Sequence, residues 1–107
     1  MRGGHERADR KEELAMQEVK AHALLTNEVG LHARPSVKLT QLAKRFAATV
    51  EVAIRADGPW TDAKSPVKIM RVKAAKGETL FMRANGSDAQ AAVTALVDLV
   101  NRKFEEE

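Results

Sequence analysis

A histidine, an arginine and a proline stand at positions 32, 34 and 35, with glycine at 30, in the run Asn-Glu-Val-Gly-Leu-His-Ala-Arg-Pro-Ser from 27 to 36. Their spacing gathers an imidazole, a guanidinium and free backbone N–H groups at one point. Pro35 suits the first turn of a helix, where its missing N–H costs nothing. The first N–H groups of that helix have no internal partner, and its dipole is positive at that end. Such an end receives anions, phosphate above all. A neutral imidazole is nucleophilic near neutral pH and can accept a phosphoryl group. The product carries about two negative charges, which N–H donors and Arg34 can hold. Gly30 lets the preceding loop turn sharply. Leu31 is expected to offer an apolar contact to a partner that excludes water during transfer.

The plainer alternative makes His32 a helix cap and Arg34 a solvated charge. Arg34 argues against it, because a cation in a first turn opposes the helix dipole. A cation placed against local preference points to an anion that arrives from elsewhere.

The rest of the composition removes competing chemistries. The 107 residues suit one small domain, and 44% hydrophobic with 31% charged residues is the balance of a folded chain. There is no cysteine, so disulfides, thiol catalysis and Cys-ligated zinc are excluded. His5 and His22 lack metal-ligand spacing with His32, and neither a metal nor a cofactor is expected. No stretch approaches a membrane span and the N-terminus lacks a signal-peptide core, which points to a cytoplasmic protein with no membrane contact. The net charge is +3 and only four residues are aromatic, so nucleic acid is not the expected partner. Acidic proteins are. A hydrolytic enzyme is disfavoured, since no nucleophile–base pair or metal set is legible.

Positioning this site requires a particular order of elements. Residues 1–16 are polar and charged and read as a flexible extension, with a folded domain over 17–107. Val19, Ala21, Ala23 and Leu25 alternate as one face of a strand. Pro35, Leu39, Leu42 and Phe46 form a helical stripe. Val50, Val52 and Ile54 mark a second strand, and the turn Ala56-Asp57-Gly58-Pro59 leads back into a third over 60–64. Ser65-Pro66 reads as N-cap and first residue of a short helix that ends before Gly77. A fourth strand spans 79–84, with Leu80 and Met82 on one face and Phe81 on the other. Ser87-Asp88-Ala89-Gln90 reads as a capping box ahead of a stripe of Ala89, Val93, Leu96, Val100 and Phe104. The Glu105–Glu107 tail is expected to fray. The order β-α-β-β-α-β-α predicts an α+β open-faced sandwich, three helices on one face of a four-stranded antiparallel sheet.

Helical spacing turns Val37 and Gln41 away from the Leu39–Leu42–Phe46 stripe. With Val67 and Met70 they are expected to form an apolar patch beside His32. Lys44, Lys68 and Arg71 are candidates for its basic rim.

Gly30-Leu31-His32-Ala33-Arg34-Pro35-Ser36 and the helix behind it resemble the active-site signature of HPr, the histidine phosphocarrier of the bacterial phosphotransferase system. The resemblance runs from about Val19 to Phe104 and takes in Ala63-Lys64-Ser65, the Lys76-Gly77 turn and the final helix. It implies that His32 accepts phosphate on Nδ1 from enzyme I and passes it to an EIIA-type acceptor, with Arg34 stabilising the anion. It implies a monomeric carrier rather than an enzyme. Ser65 matches the family's second marker, a serine phosphorylated in many bacteria by HPr kinase/phosphorylase. Here Pro66 replaces the large apolar residue common after that serine. Two more residues separate His32 from Ser65 than in a familiar enteric member, and they are assigned to the 56–60 turn. The Thr26-Asn27…Gly30 lead-in and the 101–107 tail resemble the nitrogen-related branch at least as closely as the sugar-transport branch. The alternative function is a regulatory binding protein, whose His32 or Ser65 state controls a partner without onward transfer.

Overall fold

Strand β1 (Glu18–Leu24) alternates in and out of the interior, and its inward residues Val19, Ala21 and Ala23 face a hydrophobic core. The computed structural model describes residues 18–106, so the expected extension over 1–16 and His5 lie outside the described residues. After β1 come α1 (Ala33–Ala43), β2 (Thr49–Ala53), β3 (Thr61–Asp62), α2 (Pro66–Val72), β4 (Thr79–Asn85) and α3 (Ala89–Asn101), then a single 3-10 turn at Lys103–Glu105.

The strands form one antiparallel sheet in the order β1-β4-β2-β3. Register decides which side chains meet. Ala23 pairs with Leu80, Ala21 with Met82 and Val19 with Ala84. On the other side of β4, Val52 pairs with Met82 and Val50 with Ala84. Period two therefore puts all of these on one face. Helix α3 covers β1 and β4 with Ala89, Ala92, Val93, Leu96 and Val100, and α1 packs against both other helices. The opposite face carries His22 beside Phe81, and Arg83 bonded to Glu51 with its guanidinium over Trp60. The expected open-faced sandwich is the observed one.

Two local expectations are corrected. The capping box at 87–90 does not form. Asp88, not Ser87, is the N-cap residue of α3, and its carboxylate instead accepts the N–H groups of Ala47 and Ala48, both at 2.8 Å. Those donors end α1's exit loop and have no ladder partner, so they compete successfully with the helix end. Gln90 bonds Thr94 one turn on. The Ala47 N–H foremost, joined by that of Ala48, holds the Asp88 carboxyl below its ordinary value against partial desolvation. The second correction is the C-terminal tail. The helical stripe ends at Val100; Phe104 is fully buried but reaches the core from a left-handed backbone, and the tail is held rather than frayed as far as Glu106.

Candidate functional site: a histidine at a helix N-terminus

The loop before α1 is pinned to the segment that leaves α2. The Leu31 N–H donates to the Ala74 carbonyl at 2.8 Å, and the Gly77 N–H donates to the Leu25 carbonyl at 2.8 Å. Gly30 lies between them with φ +61, and a Cβ there would stand 2.4 Å from the Ala74 carbonyl oxygen. Both the turn and the close approach require glycine. Beneath the loop, buried Asn27 donates from Nδ2 to the Gly30 carbonyl at 2.8 Å. The Ser36 hydroxyl donates to the Leu31 carbonyl at 3.3 Å. The backbone entering His32 is thus held from both sides.

His32 is the N-cap residue of α1 in an extended conformation. Its carbonyl accepts the Ser36 N–H at 2.8 Å, but its side chain makes no capping hydrogen bond and is exposed. His32 thus holds the N-cap position by its backbone, while its imidazole is left uncommitted by any capping bond. Ala33 and Arg34 provide the first two helical N–H groups, which have no carbonyl partner within the helix. No acidic residue occupies the first turn. The imidazole, the open N–H groups and the Arg34 guanidinium share one helix end, an arrangement suited to a phosphoryl group on the ring.

Arg34 does not stand free. Its Nε lies 3.7 Å from Glu106 Oε1, while Lys38, one helical turn on, binds Glu106 Oε2 at 2.6 Å and the Phe104 carbonyl at 2.8 Å. The Lys38 hydrogen bond first, and then the charges of Arg34 and Lys38, hold the Glu106 carboxyl below its ordinary value. Neither Lys38 nor Glu106 is a site candidate in the sequence, and Asn27 enters there only as part of a family-like lead-in, with no structural role assigned. A terminal acidic run looks like a solvated tail, and nothing local reveals that buried Phe104 anchors it. Asn27 carries no pattern of its own in an irregular loop.

Val37, Gln41 and Met70 line one shallow groove between α1 and α2, together with Ala33, Arg34 and Lys38. Val37, Val67 and Met70 are 41%, 61% and 42% exposed. Val37, Gln41 and Met70 thus share a groove at the helix end bearing His32, while Val67 is exposed on α2 outside that groove's lining. Leu31 is a correction: it is 1% exposed and belongs to the core, because its N–H bond to Ala74 turns the side chain inward. Lys44 caps the far end of α1, roughly 17 Å along the axis from its first turn. Arg71 and Lys68 line a different cleft, beyond α2. Ser65 is the N-cap of α2, and its hydroxyl accepts the Lys68 N–H at 3.4 Å. No three-residue metal-binding cluster occurs among the described residues, and none of their helices is long and apolar enough to cross a membrane.

Comparison with known proteins agrees with this geometry. Residues 12–102 match the family model described as "PTS HPr component phosphorylation site". The phosphocarrier protein HPr of Cupriavidus necator is 40% identical over 82 residues, covering 77% of this chain and 90% of its own. The phosphocarrier protein NPr of Escherichia coli is 36% identical over 90 residues, covering 83% and 98%. The crystal structure of an HPr from Thermoanaerobacter tengcongensis superposes with a TM-score of 0.73 at 37% identity, covering 86% of this chain and 99% of that one. A match across most of the chain, joined to an exposed histidine at the end of α1, makes this protein a member of the HPr family of phosphotransferase-system phosphocarriers.

Proposed function

We propose that His32 is the residue that carries the phosphoryl group, receiving it from enzyme I and delivering it to an EIIA-type acceptor. The observation that carries this reading is an exposed imidazole at the N-cap of α1 that makes no capping bond. The Nδ1 lone pair attacks the phosphorus of the donor's phosphohistidine. The donor's P–N bond breaks, and its electron pair returns to the donor ring. Onward delivery repeats the step with the roles exchanged. Phosphoryl transfer needs position and charge stabilisation more than bond-making groups, so so small a site suffices. The first N–H groups of α1 and Arg34 stabilise the charge on the bound group.

The surface around the site supports transient docking. From Val29 to Val50 and from Ala63 to Gly77 the chain contains no carboxylate. The first stretch contains His32 and the second carries α2, so the only carboxylate on the cations of the Val37, Gln41 and Met70 groove among the described residues is Glu106, and exposed Val67 adds apolar surface on α2. Acidic partner surfaces with apolar centres fit it. Lys44 and Arg71 extend that positive field without touching the groove. Ser65 serves as a helix cap. Phosphorylation of its hydroxyl by a kinase of the HPr kinase/phosphorylase type would set a dianion next to Val67, within the patch, and so oppose docking. The carrier works as a cytoplasmic monomer.

The test is incubation with enzyme I and phosphoenolpyruvate, followed by mapping of the acid-labile phosphate. Label on His32, lost in His32→Ala and chased onto an EIIA protein, is the expected result. Label elsewhere removes the assignment. Label that forms but never leaves favours the regulatory alternative.

A further inference from the structure

We propose that the cleft between α2, the end of β2 and the turn after it is a second ligand site, for a small organic phosphate. It is a cavity of ≈ 350 Å³, at the small end of the range of about 300–1,000 Å³ typical of small-molecule sites. Ile54, Pro59 and Val72 supply apolar walls, and Arg55, Lys68 and Arg71 supply three cations. No carboxylate lines it.

Three cations on one cleft whose walls hold no carboxylate are what set it apart. Several basic side chains elsewhere are engaged, Lys38 with Glu106, Lys76 with Glu28, Arg83 with Glu51, Arg102 with Asp98 and Lys64 with the Phe46 carbonyl, whereas Lys44, Arg45 and Lys73 make no ion pair with a described residue but are not gathered around one hollow without a carboxylate. Arg55, Lys68 and Arg71 make no ion pair with any described residue. Lys68 and Arg71 are three apart on one helix, a like-charge spacing that is unfavourable without a counter-charge. Three positively charged residues, one after β2 and two on α2, border one hollow, and a bound dianion would turn any repulsion among them into attraction. Guanidinium forks match phosphate oxygens, and the apolar walls suit a compact organic body that inorganic phosphate lacks. A peptide would need an extended groove, whereas this cleft is closed by the turn at Pro59 and by α2.

The cleft shares no lining residue with the His32 groove. Met70 turns to the His32 groove on one side of α2, while Lys68, Arg71 and Val72 turn to this cleft. The same short helix would then present a protein-docking face and a metabolite face.

The test is an amide NMR titration of the full chain with phenyl phosphate, inorganic phosphate and phenol. Phenyl phosphate should give saturable shifts centred on Ile54, Arg55, Arg71 and Val72, inorganic phosphate weaker ones at the same amides, and phenol none. The double variant Arg55→Gln/Arg71→Gln, altered only at exposed positions, should weaken phenyl phosphate binding about tenfold or more. Lys44→Gln, a distant cation, should leave it unchanged and so control for net charge. Shifts centred on Ala33 to Val37, unaltered affinity in the double variant, or no saturable shift at millimolar ligand would each overturn the proposal. None of these results depends on whether His32 is labelled by enzyme I.

Discussion

Arg34 Nε lies 3.7 Å from Glu106 Oε1, so the arginine beside the candidate phosphate site already faces an anion from the chain's own tail. Lys38 fixes that carboxylate from the other side at 2.6 Å. An incoming phosphoryl group and Glu106 would compete for Arg34. Glu106→Gln should therefore speed acceptance of phosphate from enzyme I and lengthen the life of the phosphohistidine. Arg34→Ala should slow transfer while leaving the melting temperature nearly unchanged, because its side chain is 83% exposed and its dipole contact is unfavourable. Stopped-flow transfer and thermal melts on both variants decide this. A Glu106→Gln protein no faster than wild type would make the tail contact incidental.

Gly30 is the position least tolerant of a side chain. Gly30→Ala must place a Cβ against the Ala74 carbonyl and adopt φ +61. The strain alone is about 1–3 kcal/mol, before the loop moves to relieve the clash. Loss of stability and of phosphate labelling are expected together, since this loop carries His32. Gly77→Ala is the comparison: its φ is +95, but nothing lies within 4 Å of the added Cβ. Denaturant unfolding should show a smaller loss there, and equal losses would discount the Ala74 contact.

Ser65 separates stability from docking. Ser65→Ala should cost about 1 kcal/mol through loss of the bond to the Lys68 N–H. Ser65→Asp should retain the cap, because aspartate accepts the same bond at the positive end of the helix. It should nonetheless raise the KM for enzyme I by placing an anion beside Val67. An Asp variant that transfers as well as wild type would reduce Ser65 to a cap.

Asp88 predicts a pH dependence. Its folded pKa is lowered by the Ala47 N–H foremost, with help from Ala48. A depressed carboxyl contributes stability that is present above its unfolded value and lost as pH falls through the folded one. Asp88→Asn should melt lower than wild type near neutral pH. The two melting curves should converge in acid as the wild-type carboxylate takes up its proton. A gap constant across pH would mean that the charge is not what stabilises the loop.

The strand and helix faces could be read from the chain because period two and period 3.6 are local properties of consecutive residues. Val50 with Val52, Leu80 with Met82, and Leu39 on α1 all lie where periodicity puts them, and Ser65-Pro66 begins α2 as its local chemistry requires. The Gly30–Pro35 run was legible for the same reason, since a helix start draws its N–H groups from adjacent residues. Pairings across the fold were not legible. Asp88 looked like part of a capping box until folding brought Ala47 and Ala48 to it, and backbone donors without a partner outcompeted the helix end. Leu31 looked exposed because it adjoins His32, yet its bond to Ala74, more than forty residues on, decides which way it faces. Glu106 looked like part of a loose acidic tail, and only the burial of Phe104 delivers it to Lys38 and Arg34. Sequence determined which residue could take a phosphate; tertiary structure decided which charges surround it, because Coulomb interactions follow distance in space and not separation along the chain.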